Sequence, residues 1–120
     1  MRFLVLGLTL FSLVGCGAPP KYNWGGYESM LYTAYKDPTK TEEMQLGLEK
    51  HIAAMDSAKQ KIAPGLQAEL GTLYLQSGSP DKAISMYTRE RDTWPESKGL
   101  MDVMIKNIER RSQVRAEVKQ

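Results

Sequence analysis

Between Pro64 and Pro95, small and aromatic side chains recur at the spacings that a pair of packed helices demands. Leu70-Gly71 and Tyr74 fall on one face of a first helix, and Ala83 and Tyr87, four apart, fall on one face of a second. Ser77-Gly78-Ser79 lies between them and stops the first helix. Ser79 followed by Pro80 is a start signal for the second, a cap followed by proline at the first helical position. Gly71 and Ala83 are small where the helices have to cross closely, and Tyr74 and Tyr87 fill the space beside that crossing. Pro95 ends the second helix. A chain with this pattern folds as a tight helical hairpin, with Ile84 and Met86 adding to its apolar surface. A lone hairpin leaves apolar faces uncovered, so flanking helices are expected to complete a stack.

Such helices can be read on both sides. Tyr27–Tyr35 forms a short one, ended by Lys36-Asp37-Pro38. Thr39 or Thr41 is expected to cap the next, with Glu42 and Glu43 in its first turn, where the helix dipole favours them. Its apolar stripe is Met44, Leu48, Ile52, Met55, Ala58 or the Lys59 stem, and Ile62, and Pro64-Gly65 breaks it. A last helix runs from about Glu96 to Arg115 with Leu100, Met101, Met104, Ile105 and Ile108 as its stripe. No stretch alternates with period two for long enough to form a strand. The expected fold is all-α, a stack of about five helices.

The hairpin resembles the tetratricopeptide repeat, a 34-residue unit in which the same residue types stand at fixed positions. With Pro64 as its first residue, Leu70, Gly71, Tyr74, Ala83, Tyr87 and Pro95 all match. Gln67 and Glu90 depart from the pattern, at the Trp position and the second small position. Met104, Ile105 and Ile108 repeat the step 34 residues after Leu70, Gly71 and Tyr74. Leu31 and Tyr35 show the same step of four, 39 residues earlier than Leu70 and Tyr74. Residues 27–62 are therefore expected to form a degenerate repeat with a lengthened second helix.

The resemblance implies a concave surface lined by the first helix of each repeat. The positions that would face it are Ala68, Thr72, Leu75 and Gln76, then Asp102, Lys106 and Glu109. Repeats that grip a terminal carboxylate place Lys and Asn where this chain has Ala68 and Thr72, so that type of clamp is not expected. A mixed groove of this composition suits a protein surface or an extended peptide; with two and a half repeats, no true groove is the equal alternative.

The N-terminus points to the compartment. Met1-Arg2 is followed by an apolar run, Phe3 to Val14, of signal-sequence length and too short to span a bilayer. Leu13-Val14-Gly15-Cys16 resembles the bacterial lipobox. That resemblance implies cleavage before Cys16 and lipidation of its sulfur and amine, an anchor of several acyl chains. Gly17, where Asp favours inner-membrane retention, implies the outer membrane. The chain then divides into a signal (1–15), the lipidated Cys and a tether (16–26), and a helical domain (27–120). Tyr22, Trp24, Tyr27, Tyr32 and Tyr35 crowd the start of that domain, either packed over the helices or forming an interfacial strip.

Composition excludes more than it assigns. The sequence has 16 Lys+Arg against 14 Asp+Glu, and loss of Arg2 with the signal leaves 15 against 14. That balance argues against nucleic acid as a partner. One Cys and one His cannot build a zinc cluster, a Cys–His pair or a disulfide framework, so no metal and no cofactor beyond the lipid is expected. Glu42-Glu43 and Asp102 with Glu109 are the candidate acid–base pairs, each well explained as helix surface, and no phosphate loop or hydrolase motif is present. Glu109-Arg110-Arg111, Arg115 and Lys119 form the charge cluster, read as the solvated end of a helix or as a contact for acidic lipid or peptidoglycan. His51 is expected to be packed or on the surface.

From Cys16 to about Arg110 the chain also resembles a family of small bacterial lipoproteins described as a domain of unknown function. The residues that carry this are Tyr22-Asn23-Trp24-Gly25-Gly26-Tyr27-Glu28-Ser29, Tyr35-Lys36-Asp37-Pro38, Pro64-Gly65-Leu66 through Tyr74, Pro95-Glu96-Ser97 and Met101-Asp102. The resemblance implies a periplasm-facing lipoprotein, often found beside a curli-secretion-type pore lipoprotein, with no known enzymatic activity or ligand. The expectation is a non-catalytic interaction module, an accessory to a secretion or pore complex. Regulation of a peptidoglycan synthase is the alternative, and an envelope hydrolase the remote one.

Overall fold

The computed structural model describes Gly17 and residues 19–119. The expected signal (1–15) and Cys16 lie outside the described residues. Gly25 and Gly26, at φ 59° and 76°, turn the chain into α1, Tyr27–Lys36. A 3-10 turn, Pro38–Lys40, leads into α2, Thr41–Ser57. After a loop come α3, Leu66–Gln76, and α4, Pro80–Thr93. A second 3-10 turn, Pro95–Ser97, precedes α5, Lys98–Val118. No strand occurs among the described residues. Each helix packs on the next in chain order, which makes an all-α, helical-repeat-like stack.

The α3–α4 hairpin is the most closely packed pair. A Cβ on Gly71 would stand 2.8 Å from Cε1 of Tyr87 and 3.2 Å from the carbonyl oxygen of Ala83. The small residues therefore lie at the crossing, as the spacing predicts. Tyr87 is fully buried, and its hydroxyl lies 2.9 Å from Oγ1 of Thr72. Thr72 spends its own proton on the Ala68 carbonyl, so Tyr87 is the donor in that pair. Two apolar clusters result. One joins α2 and α3 through Met44, Leu48, Ile52, Met55, Leu66, Leu70 and Leu73. The other joins α4 and α5 through Ala83, Tyr87, Met101, Ile105 and Ile108. Tyr74 packs against both.

Several sequence expectations are corrected. The second helix stops at Ser57, not Ile62, because Lys59 adopts φ 53° and closes it with paired bonds, Lys59 N to Asp56 O and Gln60 N to Met55 O, both 3.0 Å. Ala58 and Lys59 are exposed, while Ile62 is buried from the loop, and its carbonyl accepts a 3.2 Å bond from Trp94 Nε1. Neither Thr39 nor Thr41 caps this helix. Asp37 instead accepts from the Thr39 amide and hydroxyl at the preceding 3-10 turn, and these bonds, the hydroxyl's first, hold its carboxyl below the usual range. Leu31 and Tyr35 are exposed and do not play the parts of Leu70 and Tyr74. The face of α1 that packs inward is Tyr27, Met30 and Ala34, with Met30 lying over Gly47 of α2. Leu100 points to solvent, because at 100° per residue it lies at the edge of the stripe, about 80° or more from the buried Met101, Ile105 and Ile108.

The tether shortens as well. Tyr22 packs edge-on against Trp94, ring centroids 5.4 Å apart, and against the first cluster. Nε2 of His51 donates to the Asn23 carbonyl at 3.0 Å, and the ring sits where any side chain at Gly25 would strike it. Residues 22–26 therefore belong to the fold, and His51 is the packed residue that holds them.

Candidate protein-docking site

The short α3–α4 turn places Leu75, Gly78 and Pro80 opposite the middle of α5. There Ile108, Arg111, Ser112 and Arg115 complete a recess of about 270 Å³. Leu75 and Ile108 supply an apolar floor. Neither Arg111 nor Arg115 has an acidic partner among the described residues, and both are exposed. The reason is geometric. Beyond Ile108 every described residue of α5 is exposed, so the helix runs past the end of the hairpin and its cations meet no carboxylate of the fold. An apolar floor rimmed by unpaired guanidinium groups accepts carboxylates that arrive on another molecule.

The seven positions expected to line a concave face are not equally available. Ala68 and Leu75 pack partly into the second cluster. Thr72 is engaged by Ala68 and Tyr87. Asp102 is bonded by Lys98 at 2.7 Å and Arg91 at 3.3 Å, and these bonds, Lys98 first, hold its carboxyl below the ordinary range. Gln76 and Lys106 are exposed. The structure thus brings Leu75 from this set to the recess, and the remaining lining comes from the turn and from the Arg111–Arg115 segment. Glu42-Glu43 and Asp102 with Glu109 stay on helix surfaces, Glu43 paired with Lys40. No group of three or more potential metal ligands gathers among the described residues.

Gln67 and Glu90, the two departures from the repeat pattern, are both fully buried. Oε1 of Glu90 accepts a 2.7 Å bond from the Gly65 amide at the start of α3, and Ser97 adds a 3.5 Å contact. Oε2 of Glu90 and Oε1 of Gln67 are buried without partners among the described residues. A carboxyl group thus replaces a small side chain and stitches the α3 N-terminus to the end of α4. Sequence spacing marked both positions as unusual. It could not show that one of them takes up the otherwise free Gly65 amide.

The family profile described as domain of unknown function DUF4810 matches residues 21–104, more than half of the chain. The chain belongs to the DUF4810 family. No curated protein and no solved structure matches it. The DUF4810 region opens at Lys21, one residue before the docked Tyr22, and so takes in the His51-held segment that the structure places in the fold. It closes at Met104 within α5, before the recess arginines.

Proposed function

We propose that this chain is a lipid-anchored protein of the bacterial envelope, held to the outer membrane through Cys16 and facing the periplasm. Its tetratricopeptide-like stack docks an acidic segment of a partner protein and catalyses no reaction. The observation that carries the reading is the recess of Leu75 and Ile108 rimmed by unpaired Arg111 and Arg115. The sequence resemblance favours a partner within a secretion or pore complex, such as a pore-forming lipoprotein. The lipobox-like Leu13-Val14-Gly15-Cys16 supports the anchor. No helix among the described residues is long and apolar enough to cross a membrane.

Two measurements test this. The full chain is expected to incorporate labelled palmitate, and Cys16→Ser is expected to abolish incorporation. From crosslinked envelopes the chain should capture a reproducible protein partner. Arg111→Glu with Arg115→Glu should lower capture about tenfold, the loss of roughly 1.4 kcal/mol of contact, while the helical circular-dichroism signal is unchanged. Recovery of lipid alone, or capture indifferent to the double reversal, overturns the reading.

A further inference from the structure

The aromatic side chains that crowd the start of the domain do not share one fate. Tyr22 and Tyr27 pack against the first apolar cluster. Trp24, Tyr32 and Tyr35 stay 40%, 60% and 82% exposed, and Leu31 is 41% exposed. With Gly26, Glu28 and Ser29, the side chains of Leu31, Tyr32 and Tyr35 line a broad shallow depression of about 800 Å³ on the outside of α1. At 100° per residue these three span an arc of about 100°, turned about 110° from the inward-packing Tyr27, Met30 and Ala34. α1 packs mainly on α2 and the adjoining 3-10 turn, and the outer arc stays open.

The length of chain ahead of this face limits what can cover it. Tyr22 is docked on Trp94, and Cys16 lies six residues before Tyr22. Six extended residues reach at most about 20 Å, about two helix diameters, so an acyl-anchored domain stays against the lipid headgroups. The carbonyl of Trp24 accepts the Tyr27 amide at 3.0 Å, which joins the docked segment directly to the first turn of α1. From Tyr27 to Tyr35 the helix rises about 12 Å. The open aromatic face therefore begins where the tether ends. Its residue types suit the headgroup layer, where tyrosine and tryptophan rings sit at the boundary of water and hydrocarbon and lysine reaches toward phosphate. Lys36 Nζ lies 5.4 Å from the Tyr32 ring centroid, and Lys21 Nζ lies 5.5 Å from that of Tyr22. Within α1 the one acidic residue, Glu28, balances the one basic residue, Lys36, and α2 opens with Glu42 and Glu43. A face of that charge has no call for anionic lipid and fits a zwitterionic surface.

We propose that the outer face of α1, with Leu31, Tyr32 and Tyr35, seats on the bilayer that holds the chain, its tyrosine rings lying in the zwitterionic headgroup layer. The seating rests on the Cys16 anchor of the preceding reading and is independent of the Arg111–Arg115 recess. It converts a tether that alone would let the domain tumble into one fixed orientation on the lipid surface.

The test uses the full lipidated chain in vesicles of phosphatidylethanolamine and phosphatidylcholine. Cys16 is the one cysteine of the sequence, so once its sulfur is acylated an introduced cysteine is the free thiol and takes a nitroxide label. Tyr35→Cys and Val118→Cys replace residues of equal exposure, 82%, the second about 30 Å along α5 from Lys98. The label at 35 should be shielded from a water-soluble relaxant and reached by lipid-dissolved oxygen, and the label at 118 should behave in the opposite way. Adding phosphatidylglycerol, or raising salt from about 0.1 M to about 1 M, which shortens the screening length from about 10 Å to about 3 Å, should leave that contrast unchanged. Tyr32→Glu, added to the chain labelled at 35, should open the label to water while the helical circular-dichroism signal is unchanged. A chain that carries no acyl group overturns the anchor and the seating together. An anchored chain whose label at 35 is as open to water as that at 118 overturns the seating alone. A label shielded from water and from lipid alike identifies a protein on this face and also overturns the seating.

Discussion

At the scale of single residues, three helical glycines illustrate how one residue type answers different demands. Gly71 has Tyr87 and the Ala83 carbonyl within 3.2 Å of where a Cβ would stand, whereas Gly99 has nothing within 4 Å. Alanine in a helix is favoured over glycine by about 1 kcal/mol. At Gly71 that gain is opposed by overpacking against a buried ring and a backbone oxygen, which costs about 1–3 kcal/mol. Gly71→Ala should therefore destabilise, and Gly99→Ala should stabilise by roughly 0.5–1 kcal/mol, both read from urea denaturation. Gly47 is intermediate, because the Met30 thioether above it can move aside. The importance of Gly71 was legible in the sequence, since Ala83 and Tyr87 stand at matching intervals. The role of Gly47 was not, because the Met30 opposite it belongs to no fixed spacing.

Elements were legible where their ends carry the usual chemistry. Gly78, at φ 81°, closes α3 with bonds from Gly78 N to Leu75 O and from Ser79 N to Tyr74 O, and the sequence marks that stop with its glycine. The end of α2 uses the same pair of bonds with Lys59 in the glycine's place. A lysine gives no such signal, and the buried Ile62 continues the helical spacing, so the sequence overran the helix. The left-handed conformation costs a side-chain-bearing residue about 1–2 kcal/mol relative to glycine. Lys59→Gly should recover about 1 kcal/mol, part of it offset by the greater freedom of glycine in the unfolded chain. A rise in the urea midpoint with an unchanged slope is the expected readout, and a fall would show that the Lys59 stem contributes packing. At α5 the apolar Leu100 continues the stripe in sequence, yet it stands at the stripe's edge and is exposed, while Met101, Ile105 and Ile108 are buried.

For the whole molecule, the all-α class and the order of helices followed from periodicity, but the joints between helices did not. Tyr74 is the clearest joint, since it packs against both apolar clusters and carries Lys82 Nζ 5.1 Å from its ring centroid. Burial, and then the neighbouring Glu49 carboxylate, pushes its phenol from 10.0 up to about 12. The folded state thus holds the proton that an unfolded chain loses near pH 10. The contribution is complete below pH 10 and is lost as pH rises through about 12. The difference in stability between the native chain and Tyr74→Phe should be flat from pH 7 to 9 and should shift against the native chain between pH 10 and 12. Denaturation of both at pH 8 and pH 11 checks this, and parallel behaviour of the two would remove Tyr74 from the account. The recess was only half legible for a related reason. The arginines were visible as a cluster, but their lack of partners depends on α5 outrunning the hairpin.

That overrun also sets a height. Tyr22 rests on Trp94 beside the start of α5, while the recess lies where the α3–α4 turn faces Ile108 and Arg111. The 21 residues of α5 rise about 30 Å at 1.5 Å each. The docked Tyr22 and the cationic tip therefore stand toward opposite ends of α5. Arg111 and Arg115 lie about 20 and 26 Å along α5 from Lys98, and lengthening the helix by whole turns before them would raise that distance in steps of about 5.4 Å.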